Sequence, residues 1–251
     1  MQARLTHLSL SSPRIASFER LLVLADLHQQ ARAGDAARYL AKEPTAILIP
    51  GDWIEVSDKR EKGRKETLAL LGELASACPV YYSLGNHEAG ARGNRPPDEN
   101  AAAALSPRTV ALCETLTSLG VTVLCDRYVR HGSLCIGGLT SAGGRRLDTS
   151  WLDGLAREDG YRLLLCHHPE YYDRYVRPYA LDLTVGGHAH GGQWKLFGRG
   201  LYAPGQGILP RYTDGFYDGG RLLVSRGLSE RWPVPRLFNP KEAILLELHP
   251  E

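Results

Sequence analysis

The stretch Leu21-Leu22-Val23-Leu24-Ala25-Asp26-Leu27-His28 places five apolar residues directly before an acid and a histidine. An uninterrupted apolar run of this length is typical of a buried strand in an α/β protein. The polar residues after the run would therefore lie at the carboxyl end of the strand. Loops at the carboxyl ends of neighbouring strands open into one crevice. The stretch thus predicts a strand that leads into a functional site.

Four further segments place a short polar motif after an apolar run. Three of the runs are Ala46 to Ile49, Val80 to Leu84 and Leu163 to Cys166, while the fourth, Leu181 to Val185, is broken by two polar residues. The motifs after them are, in order, Gly51-Asp52, Gly85-Asn86-His87-Glu88, His167-His168 and Gly186-Gly187-His188-Ala189-His190. Six of the nine histidines lie in the five motifs. We expect these motifs to meet at one edge of the fold.

The residue types in the motifs suit divalent metal ions. Asp, Asn and His side chains are the ligands that a pair of hard-to-borderline ions needs. Asp26 and His28 stand two apart on one extended turn, so both can face the same ion. Asp52 has two carboxylate oxygens and can bridge two ions about 3.5–4 Å apart. Asn86 offers a neutral carbonyl ligand, which leaves the adjacent His87 to face a substrate. The sequence therefore predicts a two-metal hydrolytic site.

From Asp26 to His190 the motifs run D-x-H, G-D, G-N-H-E, a single strand-end histidine, and G-H-x-H. This order resembles the calcineurin-like metallophosphoesterase superfamily. The resemblance implies an α/β fold of four layers, in which two central mixed β-sheets are flanked by helices (αββα). With 251 residues, 43% of them hydrophobic, we expect a single domain that spans 1–251.

Carried over position by position, the resemblance implies two metal positions with one shared ligand. The implied ligands are Asp26, His28 and His190 for one ion, Asn86, His167 and His188 for the other, and Asp52 for both. His87 would be a non-ligand histidine near the leaving group, so that Asp52 and His87 are the expected catalytic residues. Mn is the expected metal at both positions, and Fe or Zn would suit the same ligands.

The two ions would lower the pKa of a shared water, which gives hydroxide at neutral pH. They would also neutralise the charge that develops on the phosphate. Hydroxide would attack in line, and His87 would protonate or stabilise the departing alkoxide.

Two assignments stay open. Within the pattern His-x-Pro, Pro169 makes His167 the aligned ligand, and side-chain alternation on extended backbone points His168 the opposite way. His168 remains an alternative ligand or a hydrogen-bond partner of one.

Glu88 is interpreted as a structural partner rather than a ligand. Four loop arginines are candidates for clamping a substrate phosphate, although loop arginines are usually solvated: Arg92, Arg95, Arg145 and Arg146.

Residues 182–193 read DLTVGGHAHGGQ and resemble the DLTLSGHTHGGQ signature of one bacterial branch of the superfamily. That branch contains membrane-associated or exported phosphodiesterases and some UDP-diacylglucosamine pyrophosphohydrolases. The resemblance implies a phosphodiester or pyrophosphate bond in a small or lipid-linked substrate. The alternatives are a nuclease or phosphomonoesterase of the same superfamily and a non-catalytic scaffold. Retention of all seven ligand positions and of His87 argues against the scaffold.

Composition limits the partners. Lys and Arg number 30 against 28 Asp and Glu, so no strong overall field favours nucleic acid, and we expect no nucleic-acid partner. No stretch reaches the roughly 20 apolar residues of a membrane span, although peripheral membrane contact stays open. Met1 to Ser12 lacks the apolar core of an export signal. Five cysteines without a CxxC pair indicate reduced, buried thiols, and hence a cytoplasmic protein.

Periodicity and turn residues predict alternating elements along the chain. Expected helices are Ala31–Lys42, Arg60–Ala77, Pro107–Leu119 and a helix around Ser150–Glu158 capped by Ser150. Expected strands are Leu21–Ala25, Ala46–Ile49, Val80–Leu84, Val121–Leu124, Arg127–Arg130, Leu134–Gly138, Arg162–Cys166, Leu222–Ser225 and Ala243–Leu248. Most of Gly90–Pro107 is expected to be a loop.

Overall fold

The computed structural model describes residues 3–57, 61–90, 95–230 and 235–251. Within these ranges the backbone forms two six-stranded sheets and two small hairpins. The strands are β1 (Arg4–Ser12), β2 (Glu19–Val23), β3 (Ala46–Ile49), β4 (Val80–Tyr82), β5 (Thr122–Val123), β6 (Arg127–His131), β7 (Leu134–Leu139), β8 (Tyr161–Cys166), β9 (Leu183–Gly186), β10 (Lys195–Leu196), β11 (Arg199–Gly200), β12 (Tyr202–Ala203), β13 (Gly207–Ile208), β14 (Gly215–Tyr217), β15 (Leu222–Val224) and β16 (Glu242–Pro250).

The helices are few and mostly short. The α-helices are α1 (Asp35–Leu40), α2 (Glu61–Ala77), α3 (Pro107–Ser118) and α4 (Leu152–Arg157). Single 3₁₀ or π turns occupy Pro169–Tyr171, Tyr172–Val176, Arg177–Tyr179, His190–Gly192 and Asp218–Gly220. Among the described residues, no helix combines the length and apolar character needed to cross a membrane.

Both large sheets are mixed. The first has the order β1-β16-β2-β3-β4-β5, in which β2 to β5 are parallel and β16 is antiparallel to β2. The second has the order β14-β15-β9-β8-β7-β6, with four parallel central strands and an antiparallel strand at each edge. Because β2, β3 and β4 run parallel, their carboxyl ends share one edge, as do those of β8 and β9.

Alternation along the strands divides the hydrophobic core into three clusters, which lie between the four layers of helices and sheets. In β2, Leu21 and Val23 pack between the two sheets, together with Leu163 and Leu165 of β8. Leu22 instead faces the helical layer on the other side. That layer includes Leu70, Leu71 and Leu74 of α2 and Leu112 and Leu116 of α3. On the far side of the second sheet, Leu164 and Cys166 pack against Leu152 and Leu155 of α4. The four-layer α/β architecture expected from the sequence is confirmed.

Several element boundaries differ from the sequence prediction. Strand β1 was not predicted, because its exposed alternation carries little apolar signal and its nine residues depend on parallel pairing with β16. The first helix is shorter than expected, since Gly34 with φ 81° stands directly before Asp35. Ser150 does not cap α4. Its hydroxyl donates to the Asp148 carboxylate, and Trp151 occupies the cap position.

The five cysteines are free, but they are not all buried as expected. Cys78, Cys135 and Cys166 are buried, whereas Cys113 and Cys125 are partly exposed. The sulfur atoms of this last pair lie 3.7 Å apart, between α3 and the turn after β5.

A buried carboxylate joins the loops that follow β3 and β4. Glu88 is fully buried, and its oxygens accept the backbone N–H groups of Asp52 (2.9 Å), Trp53 (2.7 Å), Ile54 (2.8 Å) and Gly85 (3.0 Å). The Tyr82 hydroxyl donates a fifth hydrogen bond at 2.5 Å. Glu88 thus acts as the structural partner expected from the sequence, and it fixes the backbone on both sides of Asp52.

We expect Glu88→Gln to lower the free energy of unfolding by about 2–4 kcal/mol, because the amide turns two donors toward buried N–H groups. Urea denaturation followed by circular dichroism measures this change. Glu114→Gln, on the exposed face of α3, is the matched control and should stay within about 0.5 kcal/mol of the parent. Equal stability of the two variants would contradict the structural role of Glu88.

Candidate metal centre

The five polar motifs lie together at the carboxyl edges of the two sheets. Beyond the ends of β2 and β3 in the first sheet, the N–H of Asp26 donates to the carbonyl of Gly51 at 3.1 Å. In the second, the N–H of Gly187 donates to the carbonyl of His167 at 3.0 Å. The N–H of His188 crosses between the sheets to both carboxylate oxygens of Asp26, at 3.1 and 3.2 Å. The last motif therefore packs on the first.

The backbone at these motifs is unusual. All seven side chains expected as ligands are buried. Five of them have positive φ: Asp26 (53°), His28 (49°), Asp52 (57°), His188 (62°) and His190 (47°). Non-glycine residues seldom adopt this left-handed conformation, which costs of order 1–3 kcal/mol each and concentrates at functional sites. Gly85 leaves space for this arrangement, because a Cβ there would collide with the Asp52 carboxylate.

The first donor group consists of Asp26, His28 and His190. One ligand atom from each lies within 4.8 Å of the other two. Nε2 of His190 is 3.8 Å from Oδ1 of Asp26, and the rings of His28 and His190 stack with centroids 5.3 Å apart. Nδ1 of His28 lies 3.1 Å from a carboxylate oxygen of Glu55. When Nδ1–H donates there, the lone pair of His28 Nε2 faces the group.

Asp52 lies between this group and a second one. Its Oδ2 is 3.8 Å from Nε2 of His28 on one side and 3.1 Å from Nε2 of His167 on the other. Its Oδ1 accepts the backbone N–H of His87 at 3.0 Å. Because both oxygens are fixed, the carboxylate can face both groups at once.

The second donor group contains His167, Asn86 and His188. Nδ1 of His167 lies 2.8 Å from the carbonyl of Pro50, which can only accept, so this nitrogen carries the proton. Nε2 of His167 lies 3.2 Å from Oδ1 of Asn86, and a metal ion that displaced the proton on Nε2 would meet its lone pair there. The His167 and His188 rings lie 5.0 Å apart. A histidine that donates through Nδ1 and presents Nε2 has the arrangement of a metal-bound imidazole.

The donor set fits divalent metal ions. Nε2 of His28 and both ring nitrogens of His188 are buried without a hydrogen-bond partner among the described residues. Leaving a buried polar atom unpaired costs about 1–3 kcal/mol. Carboxylate, amide and imidazole donors are ligands for first-row divalent ions, which would satisfy these atoms.

One histidine departs from this arrangement. Nη2 of Arg236 lies 3.2 Å from Nδ1 of His190. A guanidinium can only donate, so this contact places the His190 proton on Nε2, where an ion would require the lone pair. The same Nη2 lies 2.6 Å from the carbonyl of Arg226. Arg236 could keep that bond while His190 shifts its proton to Nδ1.

Burial and neighbouring charges set the protonation of the cluster. Burial lowers the pKa of His188 well below its usual value, and His168 lowers it further, so His188 is neutral. Burial alone would raise the pKa of Asp52, but His167, His87 and His28 together outweigh it and hold this pKa well below its usual range. Burial lowers the pKa of His167, whereas the Asp52 carboxylate raises it to about 10. Burial raises the pKa of Asp26. Without a cation, Asp52 and His167 form an ion pair.

His87 lies on the outer side of the cluster. Its side chain keeps 19% of its surface exposed, and its Nε2 is 3.8 Å from Oδ2 of Asp52. Its ring meets the His28 ring edge-on, with centroids 4.8 Å apart. His87 is thus next to Asp52 and the first donor group, and it is partly open to solvent.

The expectation that His168 points away from the centre is wrong. The His168 ring centroid lies 4.0 Å from that of His188, and ligand atoms of His167, His168 and His188 lie within 4.8 Å of one another. The reason is that β8 ends at Cys166 and a 3₁₀ turn begins at Pro169, so strand alternation does not extend to His168. Glu170 lies 2.9 Å from His168 Nδ1.

The four arginines proposed as phosphate clamps differ in position. Arg92 lies outside the described residues. Arg145 donates to the carbonyls of Ala103 (2.5 Å) and Ser141 (2.7 Å), so it joins two loops instead of facing an open site. Arg95 and Arg146 are exposed to solvent.

The sequence did not reveal several residues that contact the histidines of the centre. Glu55 and Glu170 contact ring nitrogens of His28 and His168. Asn239 donates to the carbonyl of His190 at 2.7 Å, across 49 residues of sequence. None of these residues belongs to a short motif, so only the fold reveals their partners.

Similar proteins have been named as metallophosphoesterases. An "Uncharacterized metallophosphoesterase" of Helicobacter pylori strain J99 is 25% identical over 247 residues, which cover 92% of this chain and 60% of that protein. Cj0846 of Campylobacter jejuni is 29% identical and covers 82% of this chain and 51% of its own. YkuE of Bacillus subtilis is 26% identical, and the match covers 79% of this chain and 66% of YkuE. The chain thus spans about half to two thirds of the length of these relatives.

Two solved structures align with part of this chain. A purple acid phosphatase from yellow lupin matches with a TM-score of 0.41 and 14% identity, over 71% of this chain and 39% of its own. A metallophosphoesterase from Sphaerobacter thermophilus matches with a TM-score of 0.33 and 15% identity, over 68% of this chain and 61% of its own.

A family-level match covers most of the chain and includes all five motifs. The sequence profile of the family described as "Calcineurin-like phosphoesterase" matches residues 19–192. This range extends from β2 to the turn after His190, and the His and Asp clusters of the centre lie within it. The chain therefore belongs to the calcineurin-like phosphoesterase family.

Proposed function

We propose that this chain is a binuclear metal-dependent phosphoesterase that hydrolyses phosphodiester or pyrophosphate bonds in a small or lipid-linked substrate. The observation that carries the proposal is the position of Asp52. Its Oδ2 faces His28 at 3.8 Å on one side and His167 at 3.1 Å on the other. Two cations that share a carboxylate are a recurring arrangement in phosphoester hydrolysis.

Each ion would have its own ligands besides Asp52. The proposed sets are Asp26, His28 and His190 for one ion, and Asn86, His167 and His188 for the other. Support comes from the clustering of the first set within 4.8 Å and from the acceptors beside Nδ1 of His28 and of His167, which leave Nε2 of each ring to bind an ion. Mn, with Fe or Zn as alternatives, suits this mixture of oxygen and nitrogen donors.

Such ions, when bound, supply a water of lowered pKa and positive charge opposite the phosphate. The chain's own contribution is to hold the ligands in one geometry. Glu55 and the Pro50 carbonyl fix the tautomers of His28 and His167. Glu88 holds the backbone N–H of Asp52 at 2.9 Å. A centre held this firmly needs little rearrangement during the reaction.

His87 is the residue proposed to protonate the leaving group. It is partly exposed, whereas all the proposed ligands are buried. The hydrogen bond from its backbone N–H to Asp52 fixes its distance from the centre. A histidine in this place can give a proton to a departing alkoxide.

The preference for diester or pyrophosphate bonds rests on the DLTVGGHAHGGQ segment and on charge. A monoester carries an additional negative charge, which favours a dedicated cationic clamp. Arg145 is occupied by two backbone carbonyls, so it is not available for that role. A cytoplasmic location and the absence of a nucleic-acid partner stay predictions.

Asp52→Asn should lose both ions, whereas Asp26→Asn should keep one, because only Asp52 serves both positions. Elemental analysis after reconstitution with excess Mn measures the ions per chain. Asp153→Asn, on the exposed side of α4, is the control and should match the parent. Equal metal loss from Asp52→Asn and Asp26→Asn would contradict the shared role of Asp52.

His87→Ala should retain both ions while kcat falls about 10²–10⁴-fold, the range for general acid–base groups. The loss should be smaller for nitrophenyl esters, whose leaving group needs no proton. His7→Ala on β1 is the remote control. A variant that loses an ion would instead make His87 a ligand.

With Mn bound, we expect the chain to cleave bis-nitrophenyl phosphate faster than nitrophenyl phosphate, because Arg145 is bound to two backbone carbonyls and is not available for the second charge of the monoester. Initial rates at equal substrate concentration test the order. A clear preference for the monoester, or degradation of DNA under the same conditions, would favour a phosphomonoesterase or a nuclease.

A further inference from the structure

Exposed apolar side chains concentrate in one region. Of ten large hydrophobic side chains exposed in the described ranges, eight lie in 194–209 and 237–238. This hairpin patch consists of Trp194, Leu196, Phe197, Tyr202, Ile208, Leu209, Leu237 and Phe238. Phe197 is 97% exposed, Ile208 81% and Phe238 79%. Exposed apolar residues that are clustered rather than scattered mark an interaction site.

Backbone pairing makes the patch continuous. Trp194 forms a parallel bridge with Leu237, and the N–H of Leu201 donates to the Trp194 carbonyl at 2.8 Å. The N–H of Leu209 donates to the Leu201 carbonyl at 2.9 Å. Tyr202 and Ile208 are direct partners across β12 and β13, so their side chains share a face.

The most exposed members of the patch sit at turns. Phe197 occupies the two-residue turn between β10 and β11, with φ 48°. Leu209 and Phe238 also have positive φ, at 52° and 53°. Bulky residues adopt this conformation rarely and at a cost. The backbone therefore holds these side chains outward, away from the other described residues.

The patch adjoins the proposed metal centre. A Cβ on Gly205, in the turn between β12 and β13, would lie 3.4 Å from Nε2 of His188. Asn239, next to Phe238, donates to the His190 carbonyl at 2.7 Å. Whatever covers the patch would thus lie beside the site of reaction.

Basic residues outnumber acidic ones along the segments that form the patch. Residues 191–213 and 235–241 contain no acid but include two lysines and three arginines. Arg199, Leu209 and Arg211 line one cleft of about 440 Å³. The acid in this cleft, Asp214, is already paired with Lys195 (2.5 Å) and Arg226 (2.9 Å). Arg211 also lies 2.6 Å from a carboxylate oxygen of Asp173, so Arg199 is left to bind an anionic group, since it has no ion-pair partner among the described residues.

We propose that the hairpin patch docks on a bilayer that contains anionic phospholipids. Phe197 and Phe238 insert among the acyl chains, while Arg199 binds a headgroup phosphate. Side chains that protrude from turns suit a fluid lipid layer, whereas a protein partner would require a matching set of pockets. Docking brings the metal centre to a lipid-linked phosphate ester. That consequence rests on the proposed function, whereas membrane binding itself does not.

Vesicle flotation tests the proposal. The full chain should float with vesicles of phosphatidylcholine and phosphatidylglycerol, and much less with phosphatidylcholine alone. The double variant Phe197→Ser/Phe238→Ser should bind anionic vesicles at least about tenfold more weakly than the parent. Arg199→Glu should remove the preference for anionic vesicles. The matched control is Phe18→Ser, since Phe18 is 41% exposed and precedes β2, at the sheet edge opposite the metal centre.

Activity on soluble bis-nitrophenyl phosphate separates docking from catalysis, because the three variants should all keep the parental rate. An inactive parent that still floats would contradict the proposed function and leave docking supported. A parent that never floats with anionic vesicles would overturn docking. So would sedimentation that shows a dimer dissociated by Phe197→Ser/Phe238→Ser, since a second copy would then cover the patch.

Discussion

The arrangement of the centre depends on the buried carboxylate of Glu88 and the four backbone N–H groups that it accepts. These come from Asp52, Trp53, Ile54 and Gly85, on the loops after two neighbouring strands. A carboxylate with so many donors tolerates full burial, because hydrogen bonds replace the lost water. The bonds hold Asp52 in a left-handed conformation with φ 57°, which the residue would otherwise avoid. Asp52 can therefore face donors on both sides.

A second constraint is the charge collected by folding. Asp26, Asp52 and His167 are fully buried within one cluster. In the absence of a cation, burial raises the pKa of Asp26, and His167 binds a proton that partly offsets the acids. Buried charge is costly unless it is paired. Divalent cations would neutralise both carboxylates and satisfy the buried nitrogens of His188, so the fold gains from binding them.

The sequence predicted the motifs at the carboxyl ends of the strands better than the residues that contact these motifs. Apolar runs that end in Asp, Asn or His located the meeting of the five motifs, because parallel strands bring their carboxyl ends together. The direction of His168 was predicted wrongly, since the 3₁₀ turn at Pro169 interrupts the strand. Contacts such as Asn239 with the His190 carbonyl span distant parts of the chain and follow only from the tertiary fold. The hairpin patch likewise emerged only from exposure and pairing.

Anomalous X-ray diffraction from crystals soaked in Mn²⁺ tests the shared carboxylate most directly. The account predicts two peaks about 3.5–4 Å apart, with an oxygen of Asp52 in contact with both. One ion would contact Asp26, His28 and His190, and the other Asn86, His167 and His188. A single peak, or two peaks of which only one contacts Asp52, would contradict a binuclear centre built around this residue.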